Sequence, residues 1–157
     1  VVWSRPLTTT ELNERAGVQL VDDGGEAARL APLWRAAGAE RAPILHASVS
    51  CKETLRSDRA QNARTEALNL IRNRKGRAPH IVLVTLEPLP SRLASIAQGT
   101  GDVDCVYHCA LPELRDGLAR LHGLDPAVWE RERRILEALA TGGRLRDLSD
   151  LPLDLLL

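Results

Sequence analysis

The sequence predicts an α/β fold, a central mixed β-sheet flanked by helices. Three observations carry this: short apolar runs with strand-like alternation recur along the chain, helix-length amphipathic segments separate them, and Gly, Pro and Asp clusters mark the transitions. At 157 residues, with 44% hydrophobic and 27% charged residues, the chain is long enough for one domain with a real core, which excludes disorder.

The elements follow in order. Val1–Trp3 reads as the end of a strand, and Thr8-Thr9-Thr10-Glu11 has the capping-box pattern that opens a helix near Glu11–Ala16. Val18–Val21 reads as a short strand stopped by Asp22-Asp23-Gly24-Gly25, and a helix is expected over Glu26–Ala37. Ile44–Ser50 alternates as a strand does. The best-defined helix runs from about Asp58 to Lys75 and stops at Gly76. At 100° per residue, Ala60, Ala63, Ala67, Leu70 and Ile71 make one apolar stripe, Arg64, Arg72 and Lys75 lie away from it, and Glu66 falls at its edge, predicting a semi-buried carboxylate in need of a cation or metal. His80–Leu86 reads as a buried strand, Ser91–Gln98 as a helix and Asp104–Cys109 as a strand. Helices near Pro112–His122 and Pro126–Ala140 follow, the second capped by Asp125 with Pro126 at its first position. The Leu-rich tail, Leu145–Leu157, is too apolar to stay free and is expected to dock on the body or on another subunit.

There is no long apolar run and no signal-peptide pattern, so neither secretion nor a membrane span is expected. Three cysteines, Cys51, Cys105 and Cys109, form no disulfide framework and suit a reducing, cytoplasmic setting. The absence of Met and the start at Val-Val-Trp suggest a piece of a longer protein. Net charge is zero, yet Lys52–Arg77 holds eight basic residues (Lys52, Arg56, Arg59, Arg64, Arg72, Arg74, Lys75, Arg77) against Glu53, Asp58 and Glu66. Such a stripe fits a polyanionic partner or a solvated helix face.

The chemistry-bearing residues cluster in one stretch. The strand His46-Ala47-Ser48-Val49-Ser50-Cys51-Lys52 ends in lysine, Arg56-Ser57-Asp58-Arg59 follows, and the next helix carries Glu66. Phosphodiester hydrolysis calls for carboxylates to hold Mg²⁺ and a cation near the attacking water. Lys52 and Glu66 could supply one of each, although spacing alone is a weak signal and favours an ordinary ion pair.

The continuous text is more specific. Ser50-Cys51-Lys52 and the run from Arg56 to Arg77 closely resemble type II restriction endonucleases of the NgoMIV kind. Further matches are Pro79-His80-Ile81, Glu87-Pro88 with Pro90-Ser91-Arg92-Leu93-Ala94-Ser95, Gly99-Thr100-Gly101-Asp102, Asp104–His108, and Arg144-Leu145-Arg146-Asp147 with Ser149-Asp150-Leu151-Pro152. The resemblance covers nearly the whole chain and implies a restriction-endonuclease-like fold with a rearranged PD-(D/E)xK motif, residues 1–157 being the C-terminal part of one nuclease domain. It implies that Ser50 occupies the usual acidic position, that Glu66 takes over that role as a metal ligand, that Lys52 orients and activates the water, and that the Cys51 main-chain carbonyl is a further ligand. The Cys51 thiol is expected to be small and buried. The family's principal metal-binding Asp would fall just before Val1, and another acid further upstream; Asp22 and Asp23 are weak substitutes beside a turn.

Arg56, Asp58 and Arg59, with Ser57 in the same DNA-contacting run, are the candidate sequence readers. Arginine matches the O6/N7 edge of guanine, and Asp accepts from the cytosine amino group. The bland alternative is an N-cap Asp58 with solvated arginines. The resemblance implies double-stranded DNA as partner, a G·C-rich palindrome resembling GCCGGC, Mg²⁺ as cofactor, a role in restriction–modification defence, and a homodimer or homotetramer whose symmetry matches the site. A DNA-binding or assembly domain without turnover is the alternative. Arg72, Arg74, Lys75 and Arg77 read as phosphate contacts or solvated charges. Cys105, His108 and Cys109 fall on opposite strand faces and read as core, and His46 as a packed, hydrogen-bonded strand residue.

Overall fold

The apolar runs become strands and the amphipathic segments become helices between them. The computed structural model describes residues 1–5, 7–19, 43–74, 76–99 and 101–156. Its elements, in chain order, are β1 (Val2–Ser4), α1 (Thr9–Ala16), β2 (Ile44–Lys52), α2 (Ser57–Asn73), β3 (His80–Thr85), α3 (Pro90–Ala97), β4 (Cys105–His108), α4 (Leu111–Leu124), α5 (Pro126–Thr141) and β5 (Leu145–Asp147). A 3₁₀ turn (Leu148–Asp150) and α6 (Leu151–Asp154) close it. The strands make one five-stranded sheet in the order β1-β2-β3-β4-β5, and the pairs from β2 to β5 run parallel. Each parallel step needs a crossover, which α2, α3 and the α4–α5 pair provide, giving the expected sheet flanked by helices.

The chain forms two compact units, Val2–Leu45 and His46–Leu157, with Val1 assigned to the latter. In the first, α1 starts at the expected capping box: Thr8 Oγ1 accepts from the Glu11 amide and Glu11 accepts from the Thr8 amide. The hydrogen bond from Arg5 and that from the Thr8 amide hold the Glu11 carboxyl at about 2. α1 ends on Gly17, whose φ of 66° is left-handed and suits glycine. Within this unit the Ser4 hydroxyl donates to the Ile44 carbonyl. Val18 lies in a bend and Gln19 is irregular, so neither joins the strand expected there. The rest of that strand, Asp22, Asp23 and the helix expected at Glu26–Ala37 lie outside the described residues.

In the second unit the register sorts side chains into layers. Ser50, Leu83, Val106 and Leu145 are neighbours across four strands, and two residues further on Lys52, Thr85, His108 and Asp147 form the next row on the same face. The first row is apolar apart from Ser50, and it packs with Leu55, Ala63 of α2, Leu93 and Ile96 of α3, Leu118 of α4 and Leu136 and Leu139 of α5. The second row is polar and sits at the carboxyl ends of the parallel strands, where α/β sheets place their sites. On the opposite face Val82, Val84, Cys105 and Tyr107 form a smaller core with Val49, Leu148 and Leu151. Leu148 and Leu151 show that the Leu-rich tail docks on the body, one of the two expected outcomes. Tyr107 donates to Asp154 at 2.5 Å, and Arg146 pairs with the same carboxylate.

Candidate active site at the carboxyl end of the sheet

β2 delivers Ser50 and Lys52 to one face because residues two apart in a strand point the same way. α2 lies against that face through its small residues Ala63 and Ala67, both buried, so the helix comes close enough for Glu66 to reach the strand. Ser50 Oγ donates to Glu66 Oε2 at 2.9 Å, and Lys52 Nζ donates to Glu66 Oε1 at 3.2 Å. A cleft of about 230 Å³ opens beside them, lined by Ser48, Ser50, Ala63, Glu66, Ala67 and Leu83 among others. The Ser50 hydrogen bond, seconded by the bond and charge of Lys52, holds the Glu66 carboxyl below the usual carboxylate range against the opposing effect of partial desolvation.

Two expectations about this cluster need correction. The Glu66 side chain is 56% exposed and Lys52 22%, so Glu66 is not semi-buried. The helical stripe set its direction, but the chain leaves the carboxylate open to the cleft. The Cys51 thiol, expected to be buried, is exposed, because Cys51 falls in the row of Val84 and Tyr107 on the opposite face and the closing segment does not cover it.

Arg56, Ser57, Asp58 and Arg59 form an exposed run at the start of α2. The N-cap residue is Arg56, with no side-chain cap bond, and Asp58 sits in the first turn; the expected alternative of Asp58 as N-cap is absent. Arg59 donates to Thr54 Oγ1 at 3.1 Å. Cations at a helix N-terminus oppose the helix dipole, and Arg56 makes no side-chain cap bond to offset this. The distances bring Ser50, Lys52 and Glu66 together; the arginine run follows Lys52 after the short loop Glu53–Leu55. Arg64, expected to lie clear of the packed stripe, is half-buried and its guanidinium donates to the Ser95 carbonyl of α3. Arg72, Arg74 and Arg77 are exposed.

The polar row beside Lys52 was not legible as part of the site. Thr85 Oγ1 donates to the Glu53 carbonyl at 3.3 Å, and the Leu86 amide donates to the same oxygen at 3.1 Å. Glu87, fully buried, accepts from the Leu55 amide at 2.7 Å and from the Leu89 amide at 3.1 Å. His108 Nδ1 accepts from the Ala110 amide, which leaves the proton on Nε2 to be donated to the Glu87 carbonyl at 3.2 Å. Glu87-Pro88 was visible in the text, but its role depends on a loop that folds back over the strand end. His46 is hydrogen-bonded as expected, its Nε2 lying 2.7 Å from the Leu155 carbonyl. Of the other cysteines Cys105 is buried as expected, whereas Cys109, expected in the core, is exposed because β4 ends at His108; both are free.

The family model described as NgoMIV restriction enzyme matches residues 1–157. The type II restriction enzyme NgoMIV of Neisseria gonorrhoeae is 59% identical over 119 residues, which are 76% of this chain and 40% of that protein. The chain thus spans less than half the length of that curated relative. Among the described residues no helix is long and apolar enough to cross a membrane. The family match runs through every strand and helix that builds the Ser50–Lys52–Glu66 cluster, and the chain belongs to the NgoMIV restriction enzyme family.

Proposed function

We propose that this chain carries the lysine, one metal-binding carboxylate and the base-reading run of a Mg²⁺-dependent type II restriction endonuclease, as the C-terminal part of its nuclease domain. The substrate is double-stranded DNA at a G·C-rich palindrome resembling GCCGGC, cut in restriction–modification defence by a homodimer or homotetramer. The observation that carries this reading is the Ser50–Glu66–Lys52 triangle at a strand end, with the arginine run one loop away.

Hydrolysis joins a water oxygen to phosphorus and breaks the bond to the leaving oxygen. Glu66 fits Mg²⁺ in kind, since it is an ionised, exposed oxygen donor, but it does not suffice in number. Among the described residues no three His, Cys, Asp or Glu side chains gather to complete a set. The Cys51 carbonyl and an Asp placed by resemblance before Val1 are the proposed partners. The bound ion would acidify the water and offset phosphate charge. Lys52 has three donors and spends one on Glu66, leaving two for the water and a phosphate oxygen. Ser50 spends its only proton on Glu66 and so acts by steadying the carboxylate. Arg56 and Arg59 offer forked donors to guanine, Asp58 accepts from cytosine, and Ser57 adds a hydroxyl to the same run.

In the full-length protein, Lys52→Ala should abolish Mg²⁺-dependent cleavage of a defined DNA while site-specific binding in Ca²⁺ persists. Retained cleavage refutes the role of Lys52. Specific binding by the unaltered protein with no cleavage at all would favour a DNA-binding domain without turnover.

A further inference from the structure

We infer that Glu87 is a positioning residue, clasping the loop between Lys52 and Arg56 so that the reaction end and the base-reading end of the site keep one fixed spacing; this rests on the nuclease reading above. A carboxylate with no exposure is costly to bury unless specific partners offset the cost. It has them. Oε2 accepts from the Leu55 amide at 2.7 Å, Oε1 accepts from the Leu89 amide at 3.1 Å, and Arg92 Nη1 lies 3.6 Å from Oε1 as the balancing cation.

Leu55 is the middle of the argument. It sits between Lys52 at the end of β2 and Arg56 at the cap of α2, and its side chain is buried in the main core while its amide is held by Glu87. Glu87 is itself tied to two neighbouring strands: its amide donates to Thr85 Oγ1 of β3 at 3.1 Å, and its carbonyl accepts from His108 Nε2 of β4. Thr85 Oγ1 and the Leu86 amide both reach the Glu53 carbonyl, one residue after Lys52. Thus β3 holds the start of the loop at the Glu53 carbonyl, the carboxylate of Glu87 grips its backbone next to the arginine run, and Arg59 reaches back to the Thr54 hydroxyl. Both carboxylate oxygens are needed as acceptors. A glutamine can accept at one amide, but its NH₂ must then face the other N–H.

The test uses the full-length protein carrying Glu87→Gln. We expect a folded protein with unchanged affinity for non-specific DNA, amide exchange at Leu55 faster by about tenfold, and discrimination between the cognate site and single-base-pair variants lower by about tenfold in kcat/KM. Slower cleavage or a lower melting temperature with discrimination intact would reduce Glu87 to plain structural support and overturn the proposal, as would unchanged exchange at Leu55. If Glu87→Gln does not fold, Arg92→Ala, which removes the balancing cation from the half-exposed side, is read in the same way. If the unaltered protein does not cleave, the nuclease reading fails by itself. Exchange at Leu55 and the ratio of cognate to variant binding in Ca²⁺ then still decide whether Glu87 holds the loop.

Discussion

Glu66 illustrates what one residue gains from its neighbours. Two donors of different kind, a hydroxyl and an ammonium, hold its two oxygens, and the carboxyl is ionised more readily than a free one. Because the folded value is depressed, the group contributes stability that is present above the ordinary carboxylate value of 4.5 and is lost as pH falls through the lowered one. The contribution is modest, since the side chain is more than half exposed and solvent screens it. Ser50 is the first cause of the shift, so Ser50→Ala should move the Glu66 carboxyl back towards 4.5 in an NMR pH titration; an unmoved titration would show that Lys52 alone sets it. In the sequence, spacing alone left Lys52 and Glu66 a weak pair, the resemblance gave them their joint role, and helical periodicity gave the direction of Glu66. It could not give depth, because exposure depends on what the rest of the chain lays over the helix flank. Cys51 was misjudged for the same reason.

At the scale of the element, α2 does two tasks along its length. Ala63 and Ala67 pack it against the sheet, and its first turn presents Arg56, Ser57, Asp58 and Arg59 to solvent. Helix boundaries were close in the sequence because apolar spacing and Gly76 mark them, whereas the cap was not, since Arg56 holds that place without a side-chain bond. Arg56 adds nothing to helix stability where it sits, so stability and recognition should separate. Arg56→Ala should leave the denaturation midpoint nearly unchanged, within about 0.5 kcal/mol, while costing about 1–3 kcal/mol of discrimination per lost guanine contact. Equal weakening on all DNA sequences, measured by competition binding, would make Arg56 a phosphate contact instead.

At the scale of the whole molecule, the parallel strands from β2 to β5 need cover on both faces. α2 to α5 provide one cover and the short closing segment the other, which gives the tail a structural duty. Its anchor is Asp154, bonded to Tyr107 and Arg146. Burial and the bond to Asp154 push the Tyr107 hydroxyl up, so it stays a donor at every ordinary pH, while the same bond lowers the Asp154 carboxyl. The anchor is therefore intact above the usual carboxylate range and weakens as pH falls through the lowered Asp154 value. Tyr107→Phe should destabilise the full-length protein by about 1.5–3 kcal/mol in urea unfolding at neutral pH, with a smaller effect in acid. An effect independent of pH would show that ring packing, not the hydrogen bond, holds the tail.

The sequence by itself determined the order of strands and helices from β2 onward, the arginine run and the family resemblance that made Lys52 and Glu66 partners, because alternation, helical spacing and contiguous motifs are local properties of a chain. Only the tertiary structure decided that Ser50 steadies Glu66, that Arg64 crosses to the Ser95 carbonyl, that Cys51 faces solvent and that Glu87 lies buried against Leu55. These depend on contacts between residues far apart in the chain. Among them, the grip of Glu87 on the loop after Lys52 is set by the register of β2, β3 and β4, which no local pattern encodes.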